Sequence, residues 1–178
     1  MAKGKGKGSA WERDISRYFT KWLTGQDKEL YFWRSPGSGA VATINMGNKT
    51  ISGDIIALKQ EATLLIDKCS VECKNGYKEA SFDKHLKNNK SDPLKAFWIQ
   101  CVDDAIKAEK LPLLIYKKLG MSTPWNGISP EFYKQVSKHL KEVRFIHLKW
   151  DIDYPDIYFY EFYEFWSIIT PKIIKGLK

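Results

Sequence analysis

The 178-residue sequence predicts an α/β protein with a central mixed β-sheet flanked by helices. Three observations carry that prediction. Apolar residues recur at helical spacing over 10–23 and again over 93–106. Two extended runs, Ile51–Leu58 and Thr63–Lys74, lie between them. A further apolar run, Leu113-Leu114-Ile115-Tyr116, follows the second helix, and the succession of strand, paired strands, helix and strand suits a layered α/β core.

Composition bounds the function classes. An apolar content of 43% and an aromatic content of 14% are those of one domain with a packed core. The formal charge of +8 and pI of 9.2 point to an anionic partner, of which nucleic acid is the usual one. Cys69, Cys73 and Cys101 are odd in number and form no Cys-x-x-Cys pair, which argues against a disulfide framework or a zinc site and suits a reducing, cytoplasmic setting. No apolar run has membrane-spanning length and no signal peptide is visible, so no membrane partner is expected.

Along the chain, residues 1–8 alternate Lys3, Lys5 and Lys7 with glycine, as a flexible basic arm on DNA phosphates or as an ordinary solvated tail. The remaining residues, 9–178, read as a single domain, with a core over about 9–118 and an extension over 119–178. The first helix is expected from about Ala10 to Leu23, its apolar residues Trp11, Ile15, Tyr18, Phe19, Trp22 and Leu23 falling at helical spacing. Glu12 falls at the edge of that stripe, where it can face the sheet; alternatively, Ser9-Ala10-Trp11-Glu12 is a capping box. Leu30–Arg34 reads as a strand, and Ser35-Pro36-Gly37-Ser38-Gly39 as a loop. Its glycines admit a phosphate close to the backbone, beside Arg34 and Ser38, although a plain turn has the same composition.

The two central runs hold the chemistry. Side chains alternate faces along a strand, so Glu72 and Lys74 point one way while Val71 and Cys73 point into a core. If the two runs pair as a hairpin, Asp54 lies beside Glu72. Leu64-Leu65-Ile66 can be a separate segment joined through Asp67-Lys68-Cys69, and Asp67 is an alternative ligand with no lysine two residues on. Two carboxylates and a lysine around one pocket suit Mg2+, a hard cation that takes one or two carboxylates with waters and substrate phosphates. Side by side, two carboxylates raise one another's pKa or take up a cation. The plain alternative is a salt-bridged surface face.

Beyond the strands, residues 75–91 are lysine-rich, including Lys78, Lys84, Lys87 and Lys90, as a DNA-contacting loop or a solvated one. His85, His139 and His147 read as surface or packing residues. Asp92-Pro93 opens the second helix as N-cap and first helical residue, with Leu94, Phe97, Trp98, Cys101, Val102, Ala105 and Ile106 as its stripe and Gln100 on its flank. Ser129-Pro130 starts a third helix to about Glu142, and Val143–Trp150 reads as a strand. The aromatic tail from Ile157 to Trp166 suits core packing, a dimer face or stacking on bases; Glu161 and Glu164 argue against the last.

Asp54 with Glu72-Cys73-Lys74, preceded by Trp11-Glu12-Arg13 and by Trp33-Arg34-Ser35-Pro36-Gly37-Ser38-Gly39-Ala40, resembles the PD-(D/E)XK nuclease superfamily. Within it, the order of motifs over roughly 8–118 is similar to archaeal-type and phage Holliday junction resolvases. The chain departs from the motif at Gly53, where the family name records proline.

The resemblance implies a restriction-endonuclease-like core and a Mg2+-dependent DNA endonuclease, with Mn2+ able to substitute. Asp54, Glu72, the Cys73 carbonyl and Glu12 would hold the metal, and Lys74 would orient the attacking water. Ser38 and Arg34 would lie on the scissile phosphate, with Arg13, Lys3, Lys5, Lys7 and Lys78 as further DNA contacts and Gln100 as a helical glutamine near the metal. It further implies branched or four-way DNA as substrate, a 5′-phosphate product and a two-fold homodimer acting on opposing strands, in the host cytoplasm if the source is a phage. The rivals are a nicking or restriction-like nuclease on duplex or single-stranded DNA, and a basic module that binds nucleic acid without cutting it.

Overall fold

A computed structural model of the chain describes residues 4–35, 52–86, 92–149 and 154–178. Helix α1 spans Gly4–Thr24 and buries Trp11, Ile15 and Phe19 of the expected stripe, with Tyr18, Trp22 and Leu23 half-buried against the same core. It starts at Gly4 rather than Ala10, so the backbone of residues 4–8 is helical rather than a loose arm, and Ser9 lies inside the helix rather than at its N-cap. Once a helix is nucleated, each added residue gains a hydrogen bond, which extends it past the amphipathic stretch.

Strand β1, Phe32–Arg34, is held to α1 by Thr20, whose Oγ1 accepts from the backbone N–H of Tyr31 and Phe32 at 3.1 and 3.3 Å. Strand β2, Ile55–Ala57, pairs antiparallel with β1. The hairpin expected between the two central runs does not form. The second run begins as a helical turn at Gln60–Ala62 followed by α2, Thr63–Ile66, and only then becomes strand β3, Cys69–Asn75. Leu65 and Ile66 are both buried in the α1-side core, on a turn of helix closed by Asp67 N–H donating to the Thr63 carbonyl at 2.7 Å. The first run touches β3 through a single parallel bridge between Gly53 and Val71.

A short helix α3, Phe82–Leu86, precedes α4, Pro93–Ala108. Asp92 caps α4 by accepting from the Leu94 N–H at 3.0 Å. The expected stripe is buried at Leu94, Trp98, Cys101, Val102 and Ala105, but Ile106 is 68% exposed. Helix α4 carries the chain across to β4, Leu111–Lys117, parallel to β3. Strand β5, Trp125–Ile128, was not apparent in the sequence. Helix α5, Pro130–Val136, is capped by the Ser129 hydroxyl and ends in a 3-10 turn over Ser137–His139, short of Glu142. The strand expected over Val143–Trp150 is β6, Phe145–Leu148, and the aromatic tail divides into β7, Ile157–Glu161, and α6, Phe162–Ile168, before α7, Pro171–Lys175.

The central sheet is five-stranded and mixed, in the order β3-β4-β5-β7-β6, with only β3 and β4 parallel. It therefore takes three of its strands from beyond residue 118. Alternation along β4 divides two cores: Leu113 and Ile115 pack with α1, α6 and α7, while Leu114 and Tyr116 pack with Trp98 and Cys101 of α4. In the tail Phe159, Tyr160, Phe162, Phe165 and Trp166 are buried, as core packing requires. No helix among the described residues is long and apolar enough to cross a membrane.

Candidate active site

Two consequences of strand geometry build the site. Val71 and Cys73 enter the α1-side core, which turns Glu72 and Lys74 toward α4. The Lys74 ammonium lies 2.5 Å from Glu72 Oε1. Gln100, from the flank of α4, closes the group: its Nε2 donates to Glu72 Oε1 at 3.1 Å and its Oε1 accepts from Lys74 Nζ at 3.0 Å. Lys74 also stands 5.6 Å from the ring centre of Phe97, one turn earlier on α4.

Asp54 reaches the same place by backbone tethering. Its N–H donates to the Val71 carbonyl at 2.7 Å, its carbonyl accepts from Ser35 N–H at 2.7 Å, and its Oδ2 accepts from Cys73 N–H at 2.9 Å. The neighbourhood of Asp54 and Glu72 is thus the one the sequence suggested, reached through a parallel bridge instead of a hairpin. Gly53 makes that bridge possible. Its φ is +78°, and a Cβ there would sit 2.4 Å from the Val71 carbonyl oxygen. Proline, with φ locked near −65°, cannot take this conformation, which accounts for the departure from the motif.

Electrostatics mark the carboxylates. Burial first and the Asp54 charge second push the Glu72 carboxyl up to about 7, against the opposing pull of Lys74. Burial alone would pull the Lys74 ammonium down, but the attraction of Glu72 and its hydrogen bond leave it above its ordinary value. Glu12, on α1, is also raised, first by burial and then by Asp54, against the pull of Arg34 and Arg13. Its Oε2 lies 3.6 Å from an Arg34 guanidinium nitrogen. Glu12 therefore stands close enough to feel Asp54 but is held on Arg34. Among the described residues, no three His, Cys, Asp or Glu side chains gather as a ready metal cluster.

The carboxylate pair still fits a hard divalent cation. Two buried, mutually repelling carboxylates are short of positive charge, and two such ligands with waters and phosphate are the usual complement for Mg2+. The Cys73 N–H faces Asp54, and its carbonyl points to the same side of the strand, adding a third oxygen to that donor set. The thiols take no part: Cys69, Cys73 and Cys101 are buried, and burial pushes the Cys69 thiol up to about 12.

The remaining expected contacts are spread more widely. Arg13 is half-buried beside Glu12, and Lys78 is exposed in the turn after β3. The backbones of Lys5 and Lys7 belong to α1. Ser38 and its loop, Lys3, and the side chains of Lys5 and Lys7 lie outside the described residues. Sequence reasoning missed Asp104, whose charge raises Glu72, and the contact of Phe97 with Lys74. The signal was helical spacing: 97, 100 and 104 share one face of α4 with Gln100.

With this geometry in place, comparison with known families is decisive. The family model for phage putative PDDEXK endonucleases matches residues 3–175. The chain belongs to this family. The match runs through β5, β6 and β7 and well beyond the 8–118 stretch that carries the sequence motifs, so PDDEXK endonuclease membership covers the whole five-stranded sheet. Its α/β architecture, with a mixed sheet between helices, is the nuclease-like fold that the motif implied. No curated protein and no solved structure matches the chain.

Proposed function

We propose that this PDDEXK family member is a divalent-metal-dependent DNA endonuclease whose active site is Asp54, Glu72 and Lys74, with Gln100, Glu12 and Arg34 around them. The observation that carries the proposal is the buried apposition of Asp54 and Glu72 with the Lys74 ammonium on one Glu72 oxygen. A module that only binds DNA gains nothing from two carboxylates facing phosphates.

Asp54, Glu72 and the Cys73 carbonyl would hold the cation, Mg2+ by its preference for hard oxygens and Mn2+ by substitution. When bound, the cation supplies a more acidic water and neutralises charge on the phosphate. Lys74 donates to the attacking water and to charge developing on the phosphate oxygens. Gln100 ties the Glu72 and Lys74 side chains together through one hydrogen bond to each, which restrains both beside the substrate path. Both donors converge on Glu72 Oε1, which leaves Oε2 for the cation. Arg34 takes the scissile phosphate, releasing Glu12 to the acidic side of the site, and Ser38 assists it. In-line attack leaves a 5′-phosphate.

The motif order that resembles junction resolvases puts the four-way junction, cut by a two-fold dimer, first among substrates. The test incubates purified protein with labelled four-way junction, duplex and single-stranded DNA under Mg2+, Mn2+ or EDTA. Paired symmetric nicks in the junction are expected, abolished by EDTA and reduced at least about a hundredfold by Asp54→Asn, Glu72→Gln or Lys74→Ala. Cutting of duplex or single strands alone would keep the site and replace the substrate. Binding without cutting in either metal would defeat the proposal.

A further inference from the structure

The edge of the sheet farthest from β3 carries a second concentration of DNA-binding chemistry. Residues 137–143 fold as consecutive tight turns, in which Leu140 N–H donates to Ser137 O at 3.1 Å and Val143 N–H to Leu140 O at 3.0 Å. Leu140 and Val143 are buried and anchor the turns, so Lys138, Lys141 and Arg144 are presented outward on a fixed scaffold. None of these three cations has an ion pair among the described residues; the acidic neighbours are Glu142 and, by continuation of the β6–β7 register, Glu161 opposite Arg144, whose carboxylate is engaged as the N-cap of α6, while Asp156 lies at the other end of the pair on His147.

Beside them lies an aromatic platform. Tyr158 is sandwiched between Tyr133 and His147, with ring centres 4.2 and 4.3 Å apart and planes within 3° and 4° of parallel. His147 is held in that orientation by Asp156 at 2.9 Å. Phe145 packs on Tyr133 and Tyr158 yet remains 46% exposed, on β6, the outermost strand of the sheet among the described residues. An apolar ring left in water next to three unpaired cations suits a ligand with both flat faces and regular negative charge. Unpaired nucleotides have both.

We infer that the β6 edge, through Lys138, Lys141, Arg144 and Phe145, is a second nucleic-acid contact that binds an unpaired strand. Four strand spacings of about 4.8 Å put it about 19 Å from β3, so it is separate from the cutting site and independent of the cleavage chemistry. A second copy of the chain is a poorer occupant, because edge-to-edge pairing of β6 would bring like charges together.

The experiment measures binding of a fluorescein-labelled oligothymidylate by anisotropy in EDTA over a series of salt concentrations, with Asp54→Asn in every protein so that no cutting intervenes. Lys138→Ala/Lys141→Ala/Arg144→Ala should weaken binding at least about tenfold and reduce the salt slope by about 2, three contacts at about 0.7 each. Phe145→Ala should weaken it about five- to a hundredfold without changing the slope, and Phe145→Trp should restore it, because the lost interaction is a base stack. Unchanged affinity in either the triple variant or Phe145→Ala would overturn the inference. So would equal losses on duplex and single strand, or a dimer in sedimentation that dissociates in Phe145→Ala while oligonucleotide affinity holds.

Discussion

At Gly53 a single hydrogen atom in place of a side chain decides where Asp54 stands. Adding a methyl group there meets the Val71 backbone and a φ of +78°. Gly53→Ala is expected to cost on the order of 2 kcal/mol, a fall of several degrees in Tm, and to lower cleavage more than that loss explains, since Asp54 moves with it. Melting curves and initial rates on the same preparation check both. Glu72 makes a pH prediction. Its folded-state value is raised from 4.5 to about 7, so the folded chain holds that proton more tightly than the unfolded one. The resulting stabilisation is full below pH 4.5 and is lost as pH rises through about 7. In EDTA, the wild type should lose Tm relative to Glu72→Gln across that window, while the metal-dependent cutting proposed above, if it uses the ionised carboxylate, should rise across it. Gln100→Leu, which removes both hydrogen bonds to the Glu72–Lys74 pair, should lower kcat about tenfold or more with little change in KM.

At the scale of elements, helix α4 shows how stability and site are linked. Asp92→Ala removes its N-cap and should cost about 1 kcal/mol, a Tm change of roughly 2–4 °C in a chain of this size, measurable by calorimetry. Caps such as Asp92-Pro93 and Ser129-Pro130 were legible because their mechanism is local: a side-chain oxygen meets an N–H two or three residues on. The pairing of Glu72 with Lys74 was legible for the same reason, from the two-residue strand period. The segment 60–66 was not, because a short apolar run has no period long enough to separate helix from strand. Nor was β5: Trp125-Asn126-Gly127-Ile128 has little strand character of its own and is extended because β4 and β7 pair with it on either side. Asp54 was placed next to Glu72 on the expectation of a hairpin, and the tethers that put it there, Ser35 N–H and the Val71 carbonyl, come from segments remote in sequence. The Glu12–Arg34 contact depends on α1 docking against β1 through Thr20, a tertiary event with no sequence signature.

At the scale of the whole molecule, the α1 wall is built from both ends of the chain. Tyr18 and Phe19 pack on Phe162, Phe19 packs on Trp166, and the Trp22 indole N–H donates to the Ile169 carbonyl at 2.8 Å. A truncation at Lys118 keeps every candidate catalytic residue but removes β5, β6, β7 and these contacts. It should fail to give a cooperative melting transition and should partition to the insoluble fraction on expression. The order of synthesis gives this architecture another meaning. Every side chain of the candidate site leaves the ribosome before residue 157, yet the helix bearing Glu12 is clasped by aromatics made after it. A chain that stops short of residue 157 therefore carries all of its candidate reactive groups but lacks the clasp that seats Glu12 beside them.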